Sequence, residues 1–146
     1  MRFDEPATLH TAVGPHALSL KTARGLWGRF RGLMLSGPLI ARPTAQALLI
    51  PRCPSVHGFF MRYALDLVYL ASSTEQPAGV LGAKASRYQV THTAHLLPWR
   101  VSWGKKWLRE GQPAGQALRS QHVLEMPAGS IESMNIAPGD WLELQP

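Results

Sequence analysis

The sequence predicts a mainly β fold, α+β by a strict count: a compact β-sandwich or barrel of mixed strands with one or two short helices. The 146 residues include 13 glycines and 12 prolines, more than a helical bundle tolerates. The apolar residues also fall in short runs, rich in aromatic and β-branched types and separated by turn-forming sequences. Many short strands joined by turns fit these observations better than long helices.

Length and composition indicate a chain with one hydrophobic core. A chain of 146 residues with 45% hydrophobic and 16% charged residues can bury roughly two thirds of its unfolded surface. No run approaches the roughly 18 apolar residues of a spanning helix, so we predict a soluble protein without a membrane span. A single cysteine is compatible with a reducing compartment, and we expect a cytoplasmic protein.

The net charge of +6 favours acidic partners in general, and nucleic acid or an anionic membrane is the first candidate. The distribution of the charge weakens this idea, because basic residues are spread along the chain without a long basic tract. Local groups occur only at Arg24, Arg29 and Arg31 and at Lys105, Lys106 and Arg109. We therefore do not expect nucleic-acid binding.

The first part of the chain divides into an arm and a helix. The first fifteen or so residues lack a period and contain Pro6, Gly14 and Pro15, so we expect residues 1–20 to form a loosely structured N-terminal arm, with an edge strand as its one regular element if it has any, before one β domain over residues 21–146. From Ala23 the apolar positions follow helical spacing, and Gly37 and Pro38 would end the helix. These positions are Leu26, Trp27, Phe30, Leu33 and Met34.

Three apolar runs predict strands in the middle of the chain: "ALLI" (47–50), "VHGFFMRY" (56–63) and "LDLVYL" (65–70). In an extended segment, His57 and Met61 share one face, and Asp66 shares a face with Val68 and Leu70. The turn-rich "SSTEQPAG" that follows predicts a hairpin connection, with the return strand beginning near Val80.

The last third of the chain contains one ambiguous segment. Between residues 91 and 107, Trp99, Trp103 and Trp107 repeat at helical spacing, whereas Trp99, Val101 and Trp103 alternate as in a strand, which we prefer. "HVLEMP" (122–127) predicts a strand, and "AGSIESMNI" one or two helical turns with Ser130 as N-cap. "WLEL" (141–144) predicts the closing strand.

Cys53 and His57 are the first candidate site residues. A thiol beside an imidazole suits a reactive thiolate or a metal site, since both groups bind zinc or copper. If the chain between them is extended, however, roughly 13 Å separates the two residues. No further ligand follows from the spacing, so we predict no metal site and favour a small buried cysteine beside a hydrogen-bonded histidine.

Asp66 is the second candidate, because a carboxylate among apolar strand residues requires a partner if it is buried. Arg62, Arg31 and His57 could supply that partner. An ion pair or a set of backbone hydrogen bonds that locks two strands together is favoured slightly over a catalytic carboxylate. No second acid lies nearby in the sequence, which argues against a glycosidase-like pair.

The segment "PWRVSWGKKWLR" (98–109) interleaves tryptophans with basic residues. This mixture can stack on bases or sugar rings while it holds an anion, but buried indoles with basic side chains at the rim produce the same string, and we favour the second interpretation. The chain contains no Walker-type loop, no GxGxxG and no GxSxG motif. The common nucleotide-binding and serine-hydrolase classes are therefore disfavoured.

Several of these strings together resemble domain-of-unknown-function family 192 over roughly residues 21–146: "RFRGLM", "ALLIPRCPSVHGFFMRYALDLVYL", "PWR", "HVLEMPAG" and "APGDWLEL". The resemblance implies a compact, mainly β domain and no particular reaction. The core motif of the bacterial branch matches, in order, Cys53, His57, Phe59, Met61, Arg62 and Asp66. The chain departs from the family pattern at Leu35, Ser36, Gly58 and Ala64, where members have a Gly-Arg pair, a hydroxyl residue and a proline.

Three functions follow from these observations. We predict a non-catalytic ligand-binding or accessory domain with a small pocket near the His57 strand, lined by Cys53, His57, Met61 and Asp66. Arg31 and Arg100 would anchor a small anionic ligand in that pocket. One alternative is a hydrolase-like enzyme that uses His57 or Cys53 with Asp66. The other is a binder of nucleic acid or another polyanion through residues 98–109.

Overall fold

In the computed structural model, residues 2–23, 38–53, 55–57, 62–72, 87–108 and 110–145 are described, without the side chains of His57, Trp107 and Gln116. The strands are β1 (Glu5–Thr11), β2 (Gly14–Thr22), β3 (Ala45–Ile50), β4 (Ser55–His57), β5 (Leu65–Ser72), β6 (Arg87–Leu96), β7 (Val101–Trp103), β8 (Lys106–Trp107), β9 (Leu118–Arg119), β10 (His122–Pro127) and β11 (Trp141–Leu144). Among these described residues there is one α-helix, α1 (Ser130–Met134), and a 3₁₀ turn covers Ala114–Gln116.

Seven strands close into a barrel in the order β1-β11-β6-β5-β10-β3-β2, with β2 pairing back onto β1. All neighbours are antiparallel except β2 and β3, which are parallel. A parallel pair requires a crossover connection, here residues 23–44. The helix predicted from Ala23 falls in this connection and, beyond Ala23 itself, lies outside the described residues. The predicted mainly β barrel is confirmed.

The barrel interior is filled by alternate residues of all seven strands, as the period of two requires. This inner cluster consists of hydrophobic residues, and Leu9, Leu20, Leu70, Leu124 and Leu142 have no exposed surface. Ile136 and the half-buried side chains Ile131 and Met134 pack against the same cluster from α1 and the turn after it. The helix therefore covers one end of the barrel.

A second apolar cluster lies on the outside of the barrel wall. This outer cluster consists of Ala23, Leu39, Leu48, Ile50, Val56, Leu65, Leu67, Tyr69, Leu96 and Val123. Because β3, β5 and β10 bury apolar side chains on both faces, they read as continuous hydrophobic runs rather than alternating ones. Part of the cover is a two-stranded ribbon formed by β4 and β7, in which Val56 pairs with Ser102.

The N-terminal arm predicted for residues 1–20 is wrong, since β1 and β2 are full barrel strands. Leu9, Leu18 and Leu20 face the interior, and β1 pairs with both β2 and β11. Gly14 closes the tight hairpin turn with a φ of 123°, so it marks a turn between two strands and not irregular structure. A domain boundary near residue 21 would cut through β2.

Four of the strands predicted from the apolar runs after residue 44 are confirmed, because β3, β5, β10 and β11 contain the predicted segments. The predicted run 56–63 is strand only at Val56 and His57 of β4; residues 58–61 lie outside the described residues, and Arg62 and Tyr63 are not in a strand. The predicted hairpin loop and the start of its return strand also lie outside the described residues. Ser130 is not the N-cap of α1, because Gly129, with a φ of 93°, takes that position. The Ser130 hydroxyl donates to Pro127 O at 2.6 Å instead.

The ambiguous tryptophan segment is neither one helix nor one strand, and the buried indoles favoured from its sequence are wrong for Trp99 and Trp103, which are 58% and 66% exposed. β6 continues to Leu96, the chain turns through Trp99 at a φ of 64°, and β7 begins at Val101. After β7 the chain passes Ser120 so closely that a Cβ at Gly104 would lie 2.6 Å from its Oγ. That hydroxyl also bonds the backbone N and O of Lys105, at 3.0 and 2.7 Å. The exit of β7 is thereby held against the barrel.

Candidate functional site

Glu125 is a buried carboxyl in the barrel wall. It lies in β10, paired with Leu48 of β3 and Leu67 of β5, and only 3% of its surface is exposed. Since Leu124 and Met126 face the interior, Glu125 shares the outward face with Val123 of the outer cluster. Its Oε2 has no hydrogen-bond partner among the residues that the structure describes.

Burial raises the pKa of Glu125 from its ordinary value of 4.5 to about 8. The side chain is therefore mainly a neutral carboxylic acid at pH 7, able both to donate and to accept a hydrogen bond. An unpaired polar group in an apolar layer costs roughly 1–3 kcal/mol even when it is uncharged. A hydrogen-bond partner from outside the described residues would therefore stabilise the Glu125 carboxyl.

Two phenols and a thiol share the region of Glu125. Burial first and then the Glu125 charge raise the pKa of Tyr63. Burial also raises the pKa of Tyr69; a hydrogen bond to Ser102 opposes this shift, and the charges of Cys53 and Glu125 add to it. Cys53 and Tyr63 are partly buried and pack against the outer cluster. Both phenols are therefore close enough to Glu125 for its charge to act on them.

Hydrogen bonds tie this layer to the barrel. The Tyr69 hydroxyl, from the wall, donates to Ser102 Oγ of β7 at 2.9 Å, and Tyr69 has no exposed surface. The Cys53 thiol donates to the carbonyl oxygen of Ser55 at 2.9 Å and so stabilises the entry into β4. This hydrogen bond gives the Cys53 thiol a structural role in the backbone before β4.

Tyr69→Phe should destabilise the protein by about 1 kcal/mol, because it deletes the hydroxyl that joins the wall to β7 while it keeps the ring. Urea unfolding of Y69F, of Ser102→Ala and of the double variant checks this expectation. The double variant should lose little more than either single variant, since both remove one bond. Additive losses would show that the two side chains are not coupled.

The structure does not bring the predicted site residues together in one place, and some of them lie outside the described residues. Cys53 packs against the outer cluster near Tyr69, and His57 ends β4, where its backbone pairs with Val101. The side chain of His57, like all of Met61 and Arg31, lies outside what the structure describes. Arg100 is exposed in the turn between β6 and β7, where its N–H donates to Leu97 O at 3.2 Å.

Asp66 is on the other face of the wall. It alternates with Leu65 and Leu67 of the outer cluster, so it points toward the barrel end that α1 covers, away from Cys53. Its Oδ1 accepts from His95 Nδ1 and its Oδ2 from the N–H of Ile131, each at 2.8 Å. Among the described residues, the partners of Asp66 are therefore not Arg31, Arg62 or His57, the three that the sequence suggested. The Asp66 carboxylate joins β6 to the start of α1.

Glu125 is the residue that sequence reasoning missed. The signal is present in "HVLEMP", since an acid between Leu124 and Met126 in a strand of buried residues is as anomalous as Asp66 in "LDLVYL". Alternation alone places Glu125 on the face of Val123, but not whether that face meets water or a second layer. Tyr69, whose hydroxyl ends in the same layer, was missed for the same reason.

Two further properties concern the described part of the chain. No three His, Cys, Asp or Glu side chains there are placed to hold a metal ion together. No helix in that part combines the length and the apolar character needed to cross a membrane.

The fold and the buried carboxyl define a small β-barrel domain with a candidate ligand site in its outer layer. The chain belongs to the UPF0127 family of uncharacterised proteins. It is 31% identical over 115 residues to a UPF0127 protein of Pyrococcus furiosus, covering 79% of this chain and 77% of the relative. It is also 29% identical over 131 residues to a UPF0127 protein of Thermococcus sibiricus, covering 85% of this chain but 64% of the relative's length. No family model matches the sequence.

Solved structures share the fold. A protein of unknown function from Novosphingobium aromaticivorans superposes with a TM-score of 0.64 over 94% of this chain and 83% of its own. A protein from Sinorhizobium meliloti, for which a role in transcription regulation has been suggested, superposes with a TM-score of 0.66 over 96% of this chain and 92% of its own. Both are 20% identical in sequence, so the similarity concerns the fold alone.

Proposed function

We propose that this protein is a non-catalytic ligand-binding domain whose site lies between the outer face of β3, β10 and β5 and the layer that covers it. The observation that carries the proposal is the Glu125 carboxyl, which is 3% exposed and whose Oε2 lacks a partner among the described residues. Buried polar groups in native proteins are almost always hydrogen-bonded, so such an atom calls for a partner. A bound ligand would supply it.

The chemistry of the layer narrows the ligand class. A neutral carboxylic acid pairs best with a group that offers an acceptor oxygen, such as a carboxylate or a primary amide, and with the amide it can exchange two hydrogen bonds. Leu48 and Leu67, the cross-strand neighbours of Glu125, favour an apolar body. We therefore propose a small carboxylic acid or amide, in line with the anionic ligand expected from the sequence.

Binding is favoured over catalysis by the state of the candidate catalytic groups. The Cys53 thiol is engaged with the Ser55 carbonyl, and Asp66, the predicted orienting acid, faces the opposite side of the wall with both oxygens hydrogen-bonded. A nucleophile must lie within hydrogen-bond reach of its base, and an orienting acid must hold that base or the nucleophile itself. Asp66 and Cys53 do not share a face.

Two finer assignments belong to the same proposal. The resemblance of "CPSVHGFFMRYALDLVYL" and "HVLEMPAG" to domain-of-unknown-function family 192 supports placing the chain within that family. The single cysteine, with no disulfide, supports a cytoplasmic location.

A melting-temperature screen against small carboxylic acids and primary amides tests the proposal, with the matching alcohols as comparison. At least one acid or amide should raise the melting temperature of the wild type by several degrees at saturation, because binding to the folded state alone stabilises it. Glu125→Leu should abolish the shift, and Glu132→Leu, which changes an exposed acid, should keep it. A shift of equal size in E125L, or no shift with any acid or amide, would contradict the assignment.

A further inference from the structure

We propose that a surface formed by residues 97–108, here called the tryptophan-basic surface, docks the protein peripherally onto anionic lipid membranes. Five of the seven large apolar side chains that are exposed in the described part of the chain come from this segment. They are Leu97 at 55%, Trp99 at 58%, Val101 at 41%, Trp103 at 66% and Leu108 at 39% exposure. Such a concentration of exposed apolar side chains marks an interaction site.

Exposed basic side chains alternate with these apolar ones along the segment. Arg100, Lys105 and Lys106 are exposed within the segment, and Arg119 is exposed on β9, directly opposite Lys106. Tryptophan and aliphatic side chains bordered by lysine and arginine are the composition of surfaces that bind the membrane interface. Each cation adds attraction to a negatively charged leaflet.

The surface is held in place by the barrel. Val101 and Trp103 lie on one face of β7, while Ser102, on the other face, accepts the hydrogen bond from Tyr69. Downstream, the Ser120 hydroxyl bonds the backbone of Lys105 and also contacts Thr91 Oγ1 at 2.7 Å. The exposed side chains thus project from a fixed backbone, so docking would cost little ordering entropy.

A bilayer fits the surface better than nucleic acid does. Leu97, Val101 and Leu108 are aliphatic, so they can neither stack on a base nor bind a phosphate. They can, however, insert at the boundary between the headgroups and the acyl chains of a bilayer. Leu97, Trp99 and Trp103 are each more than half exposed, so they protrude instead of lining a flat face. Protruding side chains suit a deformable lipid surface, which needs no complementary shape.

This surface is separate from the Glu125 site, because Val101 and Trp103 point away from the face of β7 that binds Tyr69. The membrane proposal and the Glu125 ligand proposal can therefore be tested separately, and failure of one does not imply failure of the other. Substitutions at Val101 or Trp103 should leave the melting-temperature response to carboxylic acids unchanged.

Cosedimentation with vesicles tests the proposal, using phosphatidylcholine alone and an equal mixture of phosphatidylcholine and phosphatidylglycerol. The wild type should bind the mixed vesicles, and added salt should weaken the binding. Val101→Ser with Trp103→Ser should weaken it about tenfold, and so should Lys105→Gln with Lys106→Gln. Val13→Ser and Arg42→Gln, which change an exposed apolar and an exposed basic residue elsewhere, should bind like the wild type.

Circular dichroism and melting curves of each variant show whether the fold is intact, so that a loss of binding can be assigned to the surface. Equal binding to neutral and mixed vesicles would overturn the role of charge. No binding to either, or binding to an oligothymidylate in place of mixed vesicles, would overturn the membrane proposal.

Discussion

Replacing Glu125 by glutamine is expected to flatten the dependence of folding stability on pH. The wild-type carboxyl has its pKa raised to about 8 by burial, against an ordinary value of 4.5. Between these two values the folded state holds a proton that the unfolded state has lost. The free energy of unfolding therefore falls as pH rises through this window, and a neutral glutamine removes that contribution.

The expected size is large for a single side chain. At 1.36 kcal/mol per unit, the wild type should lose roughly 4 to 5 kcal/mol between pH 4.5 and pH 8 relative to E125Q. Urea unfolding across this range measures it, and taking the difference between the two proteins cancels shared contributions. These include His92 and His122, whose pKa values are lowered mainly by burial.

A matched control is Glu132→Gln, which changes an exposed carboxyl in α1 and should keep the wild-type slope. If E125Q and the wild type instead show parallel pH profiles, Glu125 is not a buried acid in solution. The ligand proposal, which depends on that burial, would then lose its main support.

Asp66→Ala is expected to be the most damaging substitution at neutral pH, with a loss of about 3 kcal/mol. The change removes the acceptor for the His95 ring and for the Ile131 N–H, and Asp66 is 1% exposed. The Ile131 N–H would then be unpaired, because the first N–H groups of a helix have no partner within the helix itself. Loss of α1 would also uncover the Ile131 and Met134 side chains that pack on the barrel end.

His95→Ala is the control that separates the two bonds. The His95 side chain is 60% exposed, so its removal should cost less than about 1 kcal/mol. Chemical denaturation compares the two variants, and hydrogen exchange of the Ile131 amide should speed up only in D66A. Equal losses in D66A and H95A would mean that the bond to α1 contributes nothing.

The two acids act on opposite faces of one strand pair. Glu125 pairs with Leu67 and Met126 pairs with Asp66, so the carboxyls occupy neighbouring registers of β10 and β5 and point away from each other. The inner acid is satisfied by hydrogen bonds, and the outer one has an unpaired oxygen among the described residues. A fully paired carboxylate stabilises the barrel, whereas an unpaired one is the better candidate for a ligand.

Local pattern was sufficient for much of the fold. The apolar runs "ALLI", "LDLVYL" and "HVLEMP" became β3, β5 and β10 because strands buried on both faces are continuous apolar segments. The alternation in "WLEL" predicted β11, because a strand with one buried face alternates apolar and polar residues. The N-terminal strands were missed because Pro6, Gly14 and Pro15 were given more weight than the alternation of Leu18 and Leu20, although Pro15 follows directly on the turn glycine.

The sequence by itself determined the mainly β character, the strands β3, β5, β10 and β11 and the anomaly of Asp66 in an apolar strand, because these follow from periodicity and composition. Only the tertiary structure decided that β1 and β2 close the barrel, that Asp66 meets His95 and α1, and that Glu125 lies beneath an outer layer. Each of these depends on pairing between residues far apart in the chain. Alternation assigns a side chain to a face but not the partner that covers it.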